Sequence, residues 1–183
     1  MSAALGQRSE GVGVGVVTLV EYGNYECLHC RRAHPAIEAL RAEAGDRLRF
    51  VYRHFARPAD FPNAELAAEA AEAAGAQGRF WEMHDSLFSG DPRLHRAALA
   101  DHATALGLDM GAFDAALRER TFRDRVREGL AEGLARGVRS TPAFFIDGVP
   151  HEDAWDLEAL RDAVLRTAAI SDDRSAMNLI ADR

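Results

Sequence analysis

The chain has two cysteines, Cys27 and Cys30, in one C-x-x-C unit, so its thiol redox chemistry must run through them. The apolar, β-branched run Val16 to Tyr22 precedes them, Gly23-Asn24 turns the chain, and a helical pattern begins at about Glu26. Both thiols therefore fall in the first turn of a helix. Unsatisfied backbone N–H groups and the positive dipole end there favour thiolate, the nucleophile of disulfide exchange. Cys30 lies one turn along, near enough to close a disulfide with Cys27. Cys27, at the helix start, is expected to be the more exposed, attacking thiol, and Cys30 the one that resolves the mixed disulfide. His29 can donate a hydrogen bond or lend positive charge to a Cys27 thiolate. Arg31 and Arg32 either add positive potential or form an ordinary solvated helix face.

Two other uses of the pair stand beside the redox one. A zinc site needs about four ligands and would have to recruit His29, His34 or His54. The chain has no second C-x-x-C, and its two cysteines alone fall short of four ligands, so no metal is expected. Inert core cysteines suit a buried helix better than a turn bearing Asn, Glu and His. Glu21 interrupts the strand six residues before Cys27. A buried carboxylate is costly unless it titrates or is paired. Glu21 is thus either a proton relay for Cys30 or an exposed residue at a solvated strand end.

The elements that must position these groups follow from periodicity. Ala33, Ile37, Leu40 and Ala44 continue the cysteine helix, with Pro35 expected to kink it. Gly45-Asp46 ends it, and Leu48 to Phe55 is a second strand, which makes a β-α-β opening. Asn63 is the expected N-cap of an alanine-rich helix over 64–76. Phe80, His84, Leu87 and Phe88 mark the next helix, and Asp91-Pro92 opens another that runs to Gly107. Asp109 caps a short one, and Thr121 starts the last. In that last helix Gly129, Gly133 and Gly137 recur every four residues, for close packing or, at Gly137, as a C-cap. Thr141-Pro142 precedes a strand at Ala143 to Ile146, Asp147-Gly148 is a hairpin turn, and Val149 to His151 pairs back. A final helix covers Leu157 to Leu165.

Composition narrows the function. Net charge is -7, which gives no electrostatic footprint for nucleic acid or for an anionic membrane. All 22 basic residues are arginine, so Schiff-base and P-loop lysine chemistry is excluded. No apolar run reaches the ~18 residues of a membrane span. The first ten residues lack the apolar region of a signal peptide, so a cytoplasmic location is expected.

The stretches VTLVEYGNYECLHC and RSTPAFFIDG, with Pro35 eight residues after Cys27, resemble the thioredoxin superfamily and, within it, the DsbA-like thiol–disulfide oxidoreductases. The resemblance covers about residues 16–166. It implies an α/β, thioredoxin-like fold (βαβ…ββα) with an all-helical insertion. The expected boundaries are 16–62 and 138–166 for the thioredoxin-like domain and 63–137 for the insertion. Residues 1–15 would be a flexible lead-in and 167–183 a tail or an oligomer contact. The resemblance assigns the redox pair to Cys27 and Cys30, the dipeptide histidine to His29 and the buried strand carboxylate to Glu21. It makes Pro142 a cis-proline, preceded by Thr141, facing the thiol and exposing backbone to an extended substrate. Many members have proline after the first cysteine, where this chain has Leu28. The implied activity is thiol–disulfide exchange with cysteine-containing proteins or peptides and a thiol redox partner. The Cys27–Cys30 disulfide would be the redox group, with no bound cofactor. Two rivals share the scaffold. One is a glutathione-dependent enzyme resembling kappa-class transferases, which typically carry serine where Cys27 stands. The other is a non-enzymatic binding module.

Overall fold

Gln7–Arg8 forms a short strand, β1, and Val17–Gly23 forms β2. Helix α1 (Leu28–Ala44) leads through a 3-10 turn at Gly45–Arg47 into β3 (Leu48–His54). This is a computed structural model that describes residues 7–8 and 16–181, with side chains over 16–170. Five helices follow: α2 (Ala64–Ala76), α3 (Phe80–Ser89), α4 (Arg96–Ala105), α5 (Met110–Glu119) and α6 (Arg123–Ala135). Strands β4 (Ala143–Ile146) and β5 (Val149–His151) and helix α7 (Leu157–Ala181) close the order. The sheet runs β1-β3-β2-β4-β5. The βαβ, helices, ββα order is the one the sequence predicts.

The ends differ from expectation. Within the expected lead-in at 1–15, Gln7–Arg8 is a sheet strand, and the remainder lies outside the described residues. Helix α7 does not stop at Leu165 but continues to Ala181, because residues 166–181 contain neither glycine nor proline to end it. Residues 182–183 lie outside the described residues. Among the described residues, no helix is long and apolar enough to cross a membrane.

The chain packs as two units. One contains Tyr22–Arg32 and Tyr52–Pro142. Its central element is α2, buried almost all round: Ala64, Ala67, Ala70, Ala71 and Ala74 are inaccessible, and Glu65, Glu69 and Glu72 are buried with them. Small side chains let neighbours approach α2 closely, and the three buried carboxylates need partners to be tolerated. They have them. Arg120 Nε reaches Glu69 at 2.9 Å, Arg127 Nε reaches Glu65 at 3.0 Å, and Glu72 faces His54 Nε2 and Arg125 Nε at 3.1 Å each.

Two predicted caps are replaced. Asn63 makes no side-chain cap on α2; its amide and its backbone N–H both donate to the Glu26 carboxylate, at 2.9 and 2.8 Å. Helix α4 begins at Arg96 with His95 as N-cap, because Asp91 is engaged by Arg93 two residues on. Asp109 does cap α5, accepting from Ala112 N at 3.1 Å. The glycine series splits by cause. A Cβ on Gly129 would sit 2.7 Å from the His54 carbonyl oxygen, and one on Gly133 would sit 2.6 Å from the Phe55 ring. Gly137 has open space around it but a φ of +85°, so it is a helix-ending conformation, not a contact.

The second unit contains residues 16–21, Ala33–Val51 and 143–170 among those with described side chains. Val17, Leu19, Ile37, Leu40, Phe50, Phe144 and Leu160 are buried in it. The Asp147-Gly148 hairpin has positive φ at both residues (+47° and +82°), as its two-residue turn requires, and pairs Ile146 with Val149 antiparallel. Asp147 locks the turn: its carboxylate accepts from Thr18 N at 2.7 Å and its own N–H donates to Thr18 O at 2.8 Å.

Candidate active site

The turn between β2 and α1 sets Cys27. Asn24 Oδ1 accepts from Glu26 N at 3.0 Å, and Cys27 N donates to Asn24 O at 3.2 Å, which reverses the chain within three residues. Arg31 N donates to Cys27 O at 3.1 Å, the first helical bond, so Cys27 occupies the N-cap position and the helix starts at Leu28, slightly later than the sequence suggests. Tyr25 anchors the turn. Its ring is inaccessible, stacks on Tyr52 with centroids 5.5 Å apart, and carries its hydroxyl to 3.1 Å from His84 Nδ1.

Cys27 and Cys30 are free thiols. Cys27 is the more exposed of the two, as expected, but only marginally. It is 3 % accessible against 0 % for Cys30, and the Thr141 carbonyl lies against its sulfur. The sulfur meets a cavity of about 280 Å³ lined by Asn24, His29, Phe55, Phe61, Arg139 and Thr141, among others. Cys27 Sγ donates to the Thr141 carbonyl at 3.4 Å. Asn24 Nδ2 donates to Thr141 Oγ1 at 3.3 Å, occupying that oxygen as acceptor and leaving its hydrogen free to point to sulfur.

The Thr141 carbonyl can accept only from the protonated thiol, but the donors around the sulfur outweigh it and bring the Cys27 thiol down to about 5. Hydrogen bonding from the Cys30 side chain is the largest cause, and the Thr141 side chain and the backbone N–H groups of Cys30 and His29 add to it; burial opposes them and loses. His29 thus acts on the sulfur through its N–H, while its exposed ring lines the cavity. Arg31 is neither a free cation nor a solvated face. Its guanidinium donates to the carbonyls of Leu87 and Gly90, at 2.6 and 2.7 Å, and ties the end of α3 to the start of α1. Leu28 is 56 % exposed, an apolar side chain on the surface immediately after Cys27.

The other predicted site residues are placed as follows. The Thr141–Pro142 peptide bond is cis, and Pro142 directly precedes β4. Glu21 is 1 % accessible on β2, which removes the solvated-strand-end reading. Sequence reasoning missed Asn24, Phe55, Arg57, Asp60, Phe61 and Arg139. Asn24 carried a usable signal, an Asn shortly before a helix start, and Arg139 stands two residues before Thr141; the others carry none until the chain folds.

Comparison with known proteins agrees with the fold. The family model described as thioredoxin matches residues 11–165. A thioredoxin-like oxidoreductase from Silicibacter pomeroyi DSS-3 is 26% identical with a TM-score of 0.74, covering 86% of this chain and 87% of its own. Oxidised BdbD from Bacillus subtilis (20% identical, TM-score 0.76, 91% and 95% covered) and alpha-DsbA1 from Wolbachia pipientis (15%, 0.79, 92% and 94%) share the fold. A Na(+)/H(+) antiporter NhaA 1 of Salinispora arenicola is 41% identical over 148 residues, which is 81% of this chain but 22% of that protein. The chain thus spans under a quarter of the length of the curated relatives it matches. With the model matched over residues 11–165 and the fold shared over most of each structure's length, the chain belongs to the thioredoxin family and has the DsbA-like fold.

Proposed function

We propose that the chain is a thiol–disulfide oxidoreductase that exchanges disulfides with cysteine-containing proteins or peptides through Cys27 and Cys30. The observation that carries this is the Cys27 thiol, held at about 5 at a helix start and facing a cavity, with Cys30 buried one turn behind it. Near neutral pH such a sulfur is thiolate and ready to attack.

The chemistry closes in two steps. The Cys27 thiolate attacks one sulfur of a substrate disulfide; a Cys27–substrate disulfide forms, the substrate S–S bond breaks, and the departing sulfur takes up a proton. Cys30 then loses its proton and attacks Cys27 Sγ; the Cys27–Cys30 disulfide forms and the second substrate thiol leaves. Two electrons have passed from the chain's dithiol to the substrate. Run backwards, the same steps oxidise a substrate dithiol, and a thiol redox partner resets the pair. The redox group is the protein's own disulfide, so no bound cofactor is needed. Thr141, whose carbonyl meets the thiol, and the cis Pro142 after it would offer backbone to an extended substrate.

Insulin reduction and thiol-oxidation assays test the reading. Cys27→Ser is expected to abolish both activities, and Cys30→Ser to accumulate the mixed disulfide. Unchanged activity in Cys27→Ser would overturn it. The relatives named as Na(+)/H(+) antiporters favour a second reading, in which the exchange partner is a cysteine of a membrane transporter. Trapping by Cys30→Ser would then recover the mixed disulfide in the membrane fraction.

A further inference from the structure

The cavity beside Cys27 has an uneven charge. Phe55 and Phe61 give it apolar walls, and Asn24 and Thr141 stand at the thiol. Arg57, Asp60, Arg139 and His29 complete the lining. Arg57 is paired: its Nε lies 2.8 Å from Asp60 Oδ2 and its Nη1 donates to the Arg139 carbonyl at 3.2 Å. Asp60 is thereby matched. Glu26, next to Cys27 in the chain, is held by Asn63. Arg139 is exposed, and among the described residues its guanidinium has no carboxylate partner. In a chain of net charge -7, an unmatched arginine therefore stands at the opening onto the reactive sulfur.

Once Cys27 is in a mixed disulfide its sulfur carries no charge, and the Arg139 cation is what remains beside the bound substrate. A cavity of about 280 Å³ lies just below the ~300–1,000 Å³ of sites that enclose drug-sized ligands, so it suits one or two residues of a substrate. An arginine next to apolar walls reads a carboxylate by paired N–H donors, with the walls covering the methylene stem.

We propose that this cavity is a specificity subsite for a carboxylate carried close to the substrate's reacting sulfur, with Arg139 as the residue that reads it. The inference rests on the thiol–disulfide exchange reading and names its substrate class. The carboxylate belongs to an acidic residue flanking a peptide cysteine or to a small thiol that itself bears carboxylates; the shared chemistry is the same.

The test compares exchange rates (kcat/KM) on mixed-disulfide peptides that differ only in Glu, Gln or Lys beside the cysteine. A parallel arm compares glutathione disulfide with its carboxyl-esterified form. The ratio is taken within each variant, so any change in overall rate cancels. The unsubstituted chain should prefer Glu over Gln by about fivefold, the scale of a part-exposed ion pair. Added salt should shrink that preference. Arg139→Gln should bring the ratio to about one, and Arg139→Glu should turn it towards Lys. A preference in the peptide arm assigns the subsite to proteins, and one confined to the glutathione arm assigns it to small thiols. Equal rates in both arms, or a preference unmoved by Arg139→Glu, would overturn the proposal while leaving exchange itself intact. Loss of all exchange, including on neutral hydroxyethyl disulfide, would overturn the underlying reading instead.

Discussion

At Cys27 the sulfur collects donors from three directions: the Cys30 side chain, the Thr141 side chain and the N–H groups that open α1. Burial alone would raise a thiol, so the low value of about 5 depends on those donors and not on the cavity's polarity. The Asn24 amide sets the direction of the Thr141 hydroxyl by occupying its oxygen, at 3.3 Å. Thr141→Val should therefore raise the Cys27 value, and Asn24→Ala should raise it less, because the hydroxyl survives but is no longer oriented. Thiolate absorbance against pH, with Cys30 intact, measures both. In the unsubstituted chain half of the Cys27 signal should appear near pH 5 instead of near the ordinary 9.0. An unshifted Thr141→Val titration would show that the backbone and Cys30 donors suffice.

At the level of elements, α6 and α3 are held by unlike devices that substitution can separate. On α6, Gly129 faces the His54 carbonyl oxygen, a backbone group that cannot swing aside, and Gly133 faces the Phe55 ring. Alanine at either position should cost about 1–3 kcal/mol of overpacking despite its better helix propensity. Gly137 differs, since its φ of +85° is the constraint. Gly137→Asn should be milder than Gly137→Ala, because Asn tolerates the left-handed region, whereas no such relief is expected at Gly129. Urea unfolding of the four variants checks the pattern. The end of α3 rests on Arg31, and Arg31→Ala should speed hydrogen exchange around Ser89–Gly90 by releasing two carbonyls from a charged donor. The same contrast explains what was legible in advance. The Asp147-Gly148 turn and the Asp109 cap are written in neighbouring residues, and both form. The caps expected of Asn63 and Asp91 fail, and the Asn63 cap was unreadable because its amide is taken by Glu26, 37 residues earlier. Cys27 and Thr141-Pro142 were visible as local motifs, and Arg139 lies just before the second of them, but Arg57 lines the same cavity only through the fold.

For the molecule as a whole, the Cys27 ionisation ties stability to redox state. In the reduced, folded chain Cys27 gives up its proton near pH 5, whereas in the unfolded chain it keeps it until near 9.0. Between these values unfolding takes up a proton, so the contribution is fully present above about 9, fades as pH falls, and is gone below about 5. With the disulfide closed, neither sulfur can bind a proton in either state, and this dependence vanishes. Raising pH from 5 towards 8 should therefore stabilise the reduced chain relative to the oxidised one, with the groups other than the two thiols cancelling between the two forms. That places the pair's readiness to accept electrons under the control of the helix-end donors, since whatever favours the folded dithiol also favours reduction of the disulfide. Denaturant unfolding of both forms across this pH range, run on the unsubstituted chain and on Thr141→Val, reads the effect directly. The gap between the forms should move in favour of the reduced chain as pH rises, and Thr141→Val should weaken that movement; a gap that stays constant would mean that the folded structure does not hold Cys27 as thiolate.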